Sequence, residues 1–354
     1  MRITQPLRFT PSLIVAGLLF FSGGVGMAAE TTFSDGRSAL ETETKLSLIS
    51  VEGNRFVNEA GETVVLRGLA LSDPGELLDR GQWNRGYFEQ AASWNANVVR
   101  VMVQPDRWHR WGEERFLQFI DEAVQWSGEL GMYVIIDWHT IGNVLTGVYH
   151  RPEYITSKDE TFRFWNTIAQ RYRNNPTVVA YELYNEPTNR GGAFGRLPWS
   201  DYKVFVEDLI YMIHHIDPTA IALVAGFNWG YDLRHVRDEP IEAPNVAYVT
   251  HPYPMKSADW EHDWEAIWGF VAERHPIVAT EFGYMSAEER GSHNPVIGDE
   301  VYGEAIINFF EKRGISWTPW VFDTIWTPNL LLDWDFTPSN QGRFFKAKLQ
   351  ELNP

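Results

Sequence analysis

The stretch that decides the fold is Val178-Val179-Ala180-Tyr181-Glu182-Leu183-Tyr184-Asn185-Glu186-Pro187. Apart from Glu182, its first seven residues are apolar or aromatic, with β-branched valines leading. That composition is expected of a strand buried on both faces. Proline cannot donate to a sheet ladder, so the strand is expected to stop at Pro187. A carboxylate and an amide are thereby left at the carboxyl end of a buried parallel strand, where barrel and open α/β folds place their chemistry. Side chains alternate along a strand, so Glu182 and Glu186 share a side, roughly 13 Å apart, while Asn185 points to the other. Glu182 is too deep to partner Glu186 and needs an internal cation, for which Arg67 is a candidate. Taken alone, Glu186 reads equally well as a solvated strand-end acid; the rest of the chain decides.

Working outward, the 354 residues are 44% apolar and 14% aromatic, enough for one large domain or two small ones, with ample core. The absence of cysteine excludes disulfides and thiolate metal sites but leaves export open. A net charge of −17 argues against nucleic acid, whose phosphates would be repelled, and suits an enzyme acting on a neutral substrate. Sixteen tryptophans are many for this length; most are expected in the core, yet flat aromatic faces are also what sugar rings stack on.

Arg2 and Arg8 precede an apolar run from Leu13 to Phe21, followed by small residues ending Gly26-Met27-Ala28-Ala29. This describes a secretory signal peptide, residues 1–28, with cleavage expected after Ala28. The run is shorter than the ~20 residues of a membrane span, so no stable span is expected after cleavage and the mature protein is expected outside the cell or in a periplasm. Residues 29–46 read as a disordered linker. Residues 47–354 are expected to form one catalytic domain, with no second domain and a monomeric state.

In that domain, residues 48–66 carry short strands broken by Gly53-Asn54 and Asn58-Glu59-Ala60-Gly61, a small hairpin leading into a barrel. Candidate core strands then follow at 64–71, 97–103, 132–139, 178–185, 220–225, 246–253, 276–282 and 315–322. Helical patterns lie between them. Phe116, Leu117, Phe119, Ile120, Ala123 and Val124 recur at helical spacing before Gly131, and Phe162, Trp165, Ile168, Ala169 and Tyr172 do the same. Further helices are expected over 202–216, 260–274, 304–313 and 343–352, with a short one at 229–237. Eight such units make an α/β (β/α)₈ TIM barrel with a short N-terminal β-hairpin.

The functional face of that barrel is the set of polar residues ending its strands: Arg100 on the second, His139 on the third, Asn185 and Glu186 on the fourth, His251 and Tyr253 on the sixth, Glu281 on the seventh, Trp317 and Trp320 on the eighth. Two glutamates would face each other across the mouth. Glycoside hydrolysis uses two carboxyl groups flanking the scissile bond, about 5–5.5 Å apart when one acts as nucleophile. Two acids so close cannot both ionise easily, so one is left able to donate a proton.

Seven local motifs occur in order: Leu66-Arg67-Gly68, Asn97-Val98-Val99-Arg100, Ile136-Asp137-Trp138-His139, Asn185-Glu186-Pro187, His251-Pro252-Tyr253, Thr280-Glu281-Phe282-Gly283 and Trp317-Thr318-Pro319-Trp320. Through them the chain resembles glycoside hydrolase family 5, the cellulase-like retaining β-glycanases. The resemblance implies Glu186 as general acid/base and Glu281 as nucleophile. It implies Asn185 as partner of the sugar 2-hydroxyl, and Arg100 and Tyr253 as the groups that orient the nucleophile. His139 and His251 would line the subsite of the attacked sugar and Trp320 would be its platform. No metal or organic cofactor is implied, and the partner is a polysaccharide or oligosaccharide.

The residues leave several readings open. Arg100 also reads as a core cation paired with Glu182, and His139 as a satisfied core histidine. Trp138 has the parity of packing. Trp108, Trp111, Trp229, Trp326 and Trp334 read equally as outer subsites or as packing. An endo-β-1,4-glucanase is the first expectation, with mannan or another β-glycan as alternatives. A non-catalytic sugar-binding barrel would be expected to lack one acid, and a metal-dependent hydrolase would need ligand spacings that do not occur.

Overall fold

A computed structural model describes residues 46–353; the signal-peptide and most of the linker expectations lie outside the described residues. The chain enters through a three-stranded antiparallel sheet, Ser50–Glu52, Arg55–Val57 and Thr63–Val64, with Gly53 at φ +62° in the first turn. Eight parallel strands follow in sequential order: Gly68–Leu71, Val98–Val103, Tyr133–Trp138, Val178–Glu182, Ala222–Ala225, Val246–Val249, Ile277–Ala279 and Ser316–Trp317. The eighth closes onto the first through parallel bridges, Trp317 beside Arg67 and Phe322 beside Leu71, with the Trp317 and Phe322 amides donating to the Leu66 and Ala70 carbonyls at 2.8 Å. The result is the expected (β/α)₈ barrel with its N-terminal sheet.

The helices form where the apolar spacing places them, and several begin where a side chain accepts a free amide. Glu113–Glu129 buries Phe116, Phe119, Ile120 and Ala123, and is followed by Gly131 at φ +75°. Lys158–Tyr172 begins behind Ser157, whose hydroxyl accepts from the Glu160 amide at 3.1 Å, and Asn340–Leu352 behind Ser339, which accepts from Gly342 at 3.0 Å. Trp199–Ile216 and Glu300–Glu311 complete the long outer helices. The expected helix over 260–274 is an α-helix only at Trp260–Ile267, continuing as a tighter turn at Gly269–Glu273. The fifth unit has no full helix, only Phe227–Gly230 and a 3₁₀ turn at Arg234–Arg237.

Two details of the deciding stretch differ from expectation. The regular fourth strand ends at Glu182. Single ladder bonds carry it further, the Leu183 amide to the Leu223 carbonyl at 3.1 Å and the Asn185 amide to Trp138 at 3.3 Å. Nor does Pro187 end all pairing. Glu186–Pro187 lie parallel to Ile141–Gly142 in a second small sheet completed by Val148–Tyr149. Because regular alternation lapses after Glu182, Asn185 does not point away from it. Both side chains meet the same guanidinium of Arg100.

The barrel interior has two tiers. Its amino-terminal end is apolar, filled by Ile49, Phe56, Leu66, Val98, Ile135 and Leu223, with the small sheet packed beneath. Above it sit Arg100, Asp137 and Glu182, all fully buried.

Candidate active site

Arg100 is the hub. It alternates inward with Val98, and its guanidinium reaches four partners at the ends of the third, fourth and seventh strands. Nε and Nη2 donate to the Glu182 carboxylate at 2.7 and 3.0 Å, Nη2 also to Asn185 Oδ1 at 2.7 Å, and Nη1 to Glu281 Oε1 at 2.9 Å. Asp137 Oδ2 lies 2.9 Å from Nη2. Thus the cation of Glu182 is Arg100 and not Arg67. Leu66 faces the interior, so its neighbour Arg67 faces outward, where it pairs with Glu311 at 2.6 Å. The two readings of Arg100 are therefore one arrangement, a core cation that also holds Glu281.

A single guanidinium cannot neutralise three buried acids. Burial pushes Asp137 and Glu182 up to about 7, against the pull of Arg100. Tyr253, whose hydroxyl burial keeps protonated well beyond its ordinary range, donates to Glu281 Oε2 at 3.3 Å. Glu281 thus accepts a hydrogen bond on each oxygen from a fixed donor.

Glu186 sits differently. Burial raises its carboxyl above the usual range, with Lys256, His139 and Arg100 pulling it back. Its Oε1 lies 2.9 Å from His251 Nδ1. The state of His251 is set from the other side. Thr280 Oγ1 donates to Glu182 Oε1 at 3.0 Å, so it accepts from His251 Nε2 at 3.0 Å. Burial holds His251 well below its ordinary range, leaving one ring proton, and that proton is on Nε2. Nδ1 is then a lone pair, and the proton between it and Glu186 belongs to Glu186. The hydrogen bonds of the two glutamates are thus unlike: Glu186 faces a ring lone pair, and Glu281 faces two donors.

Glu186, His251 and Glu281 each bring one atom within 4.8 Å of the others. That spacing is short enough for a metal ion, but the donors are unsuited to one. Both His251 nitrogens and both Glu281 oxygens are engaged, and the Arg100 cation already occupies the nearest side. The residues do not fit a metal, and they do fit two carboxyl groups at the distance of a one-sugar reaction centre.

The site opens into a cleft of about 1070 Å³. His139 has been drawn down to about 4 by burial, and its neutral ring gives Nδ1 to Asp137 Oδ2 at 2.7 Å. Its ring lies parallel to Trp320 at 5.6 Å and 9°, and Trp320 in turn to Trp326 at 6.1 Å and 3°. Asn185 Nδ2 is buried and has no partner among the described residues. All eight expected residues therefore converge: Glu186, Glu281, Arg100, His139, Asn185, His251, Tyr253 and Trp320. Of the loop tryptophans, Trp229 and Trp326 line the cleft. Trp108, Trp111 and Trp334 pack, against Phe164, Phe119 and Tyr87. Trp138 also packs, stacked on Phe164 at 4.2 Å.

Sequence reasoning missed Thr280, Asp137 and Lys256 as parts of the site. The first two sit next to or two residues from named candidates, so the signal was there. A lone lysine in a loop carried none. Gly230 was also unmarked. Its φ is +68°, and a Cβ there would stand 2.7 Å from the His251 ring, so only glycine lets this turn press against that histidine. The two residues before it, Asn228 and Trp229, share the left-handed conformation at φ +56° and +57°, at a cost of roughly 1–2 kcal/mol each.

Comparison with known proteins agrees with this geometry. Residues 57–324 match the family described as cellulase (glycosyl hydrolase family 5). The chain is similar to a beta-glucanase from Saccharophagus degradans, solved in complex with cellotetraose, at 44% identity and a TM-score of 0.86 over 87% of this chain and 94% of that one. It is 27% identical over 266 residues to Endoglucanase A of Butyrivibrio fibrisolvens, covering 72% of this chain and 56% of that protein. It is 26% identical over 289 residues to Endoglucanase 5 of Pectobacterium carotovorum, covering 80% and 52%. The chain spans about half the length of these two curated relatives. A family match over most of the barrel, with both acids inside it, leaves one assignment: the chain belongs to glycosyl hydrolase family 5, the cellulases.

Proposed function

We propose that the protein is an exported retaining glycoside hydrolase that cleaves β-linked glucans, acting as an endo-β-1,4-glucanase. The observation that carries the reading is the unlike pair of glutamates. Their oxygens lie within 4.8 Å, one hydrogen-bonded as a proton donor and the other as a carboxylate. In the first step Glu281 attacks the anomeric carbon. The bond to the leaving sugar oxygen breaks as Glu186 gives that oxygen its proton, and a glycosyl ester forms on Glu281. In the second, Glu186 takes a proton from water, the water oxygen bonds to the anomeric carbon, and Glu281 departs as a carboxylate. Two inversions give net retention. The cellotetraose bound by the Saccharophagus relative and the endoglucanase activity named for the curated relatives support a β-glucan as substrate. Export rests on the basic and apolar pattern of residues 1–28.

The test is kinetic and stereochemical. Glu281→Ala should abolish hydrolysis of every β-glucan. Glu186→Ala should still release dinitrophenol from an activated aryl β-cellobioside, and azide should restore turnover with a β-glycosyl azide as product. Equal loss in both variants with no azide adduct, or a product of inverted configuration, would overturn the assignment.

A further inference from the structure

Lys256 is a cation that the two-glutamate chemistry does not use. It ends the 3₁₀ turn Pro254–Lys256 beyond the sixth strand and lines the cleft with Glu186, Glu281 and Trp229. It is half-buried, yet among the described residues it forms no ion pair with a carboxylate. One Nζ–H is spent on the Trp229 carbonyl at 2.7 Å, and the ammonium lies 5.6 Å from the centres of both the Tyr231 and Tyr253 rings. The left-handed pair Asn228 and Trp229 turns that carbonyl toward it, and the Gly230 carbonyl accepts the His251 amide at 2.9 Å, tying the turn to the sixth strand. Backbone held in an uncommon conformation beside a cleft, and fastened from a second strand, is a common mark of a functional site. The lysine is thereby held in place with two N–H bonds left over.

Its side of the cleft follows from the strand order. Trp320 and Trp326, on the eighth unit, form one flank; Glu186, Trp229 and Lys256, on the fourth, fifth and sixth, form the other. The acid must sit beside the oxygen of the departing sugar, so the departing sugar lies on the Glu186 flank. We propose that Lys256 is a specificity-determining residue of the leaving-group subsite, donating its two free N–H bonds to hydroxyls of the sugar on the reducing side of the cleaved bond. This rests on the retaining-glycanase reading above. A fixed ammonium suits this role because each of its protons can be aimed at a sugar oxygen without further cost of ordering the side chain.

Three substrates separate this role from an indirect effect through Glu186. Cellotetraose needs the acid and the leaving-group subsite, phenyl β-cellobioside needs the acid alone, and dinitrophenyl β-cellobioside needs neither. Lys256→Met should lower kcat/KM on cellotetraose by about tenfold or more, the loss expected for hydrogen bonds from a charged donor. It should change the dinitrophenyl substrate less than about twofold, and phenyl cellobioside far less than cellotetraose. The glycosyl-enzyme formed from the dinitrophenyl substrate should also pass to added cellobiose less often, relative to water, than in the wild type. Equal losses on cellotetraose and phenyl cellobioside, or no loss on either, would overturn the proposal. A wild type inert on all three substrates would instead remove the parent reading.

Discussion

The two ends of the barrel are built from the same eight strands and have opposite chemistry. At the amino-terminal end Phe56, Ile49 and Leu66 reach Val98, Ile135 and Leu223 in a layer without charge. Near the carboxyl end one arginine is ringed by Asp137, Glu182 and Glu281. The lower tier gains from burial of apolar surface, whereas the upper removes charges from water and recovers that cost only through close pairing. The contrast shows how a barrel can concentrate strain and reactivity at one rim, because the other rim holds it closed.

The comparison can be broken most sharply at Glu281. Glu281→Gln should lower kcat by roughly 10⁴-fold or more while the melting temperature holds or rises, since one acid of three around Arg100 loses its charge. A melting temperature that collapses with activity would mean that the upper tier also carries the fold. Arg100→Met should cost both activity and stability. Without the cation the buried acids are unpaired, and the variant should lose about 3–5 kcal/mol by urea titration as well as activity. Phe56→Ala, in the lower tier, should cost about 3–4 kcal/mol in the same titration yet leave kcat of the folded enzyme within about twofold. If it instead depressed kcat, the two tiers would be coupled.

Acidity gives the smallest effect. Asp137 and Glu182 rise to about 7 in the fold from ordinary values near 4, so the native state holds protons that the unfolded chain has released. Their contribution to stability is full below about pH 4 and is lost as the pH rises through 7. Asp137→Asn should therefore flatten the decline in unfolding free energy between pH 5 and 8, and an unchanged slope would place those protons elsewhere. In activity the sign is the same for Glu186. In the proposed mechanism its acid form is needed, so kcat/KM should fall as pH rises through its elevated value, while burial holds His139 and His251 below their ordinary range and keeps their rings neutral.

The order of the eight strands, the N-terminal sheet and both glutamates were legible because each rests on a local pattern: alternation, a turn residue, or an acid at a strand end. What was not legible depends on how strands meet. Arg67 and Arg100 look alike in the sequence, and only the facing of Leu66 sends the first outward to Glu311. The position of Asn185 was misread because parity holds only while the ladder is regular, and this one loosens after Glu182. The fifth unit defeats periodicity altogether, since its left-handed turn at Asn228 and Trp229 is fixed by a lysine and a histidine from the next strand. Lys256 could not be told from a surface lysine, because its anchor is a backbone carbonyl and carbonyls leave no trace in a sequence.

One guanidinium among three carboxylates has a further consequence for the reaction cycle. In the double displacement proposed above, esterification of Glu281 takes the charge from an acid that Arg100 shares with its neighbours, and the crowding of like charge inside the barrel would ease at that instant. The covalent stage of that mechanism would thus be favoured by the scaffold. Hydrolysis of the ester must then restore the crowding, so the enclosed acids weigh on the second half-reaction more than on the first.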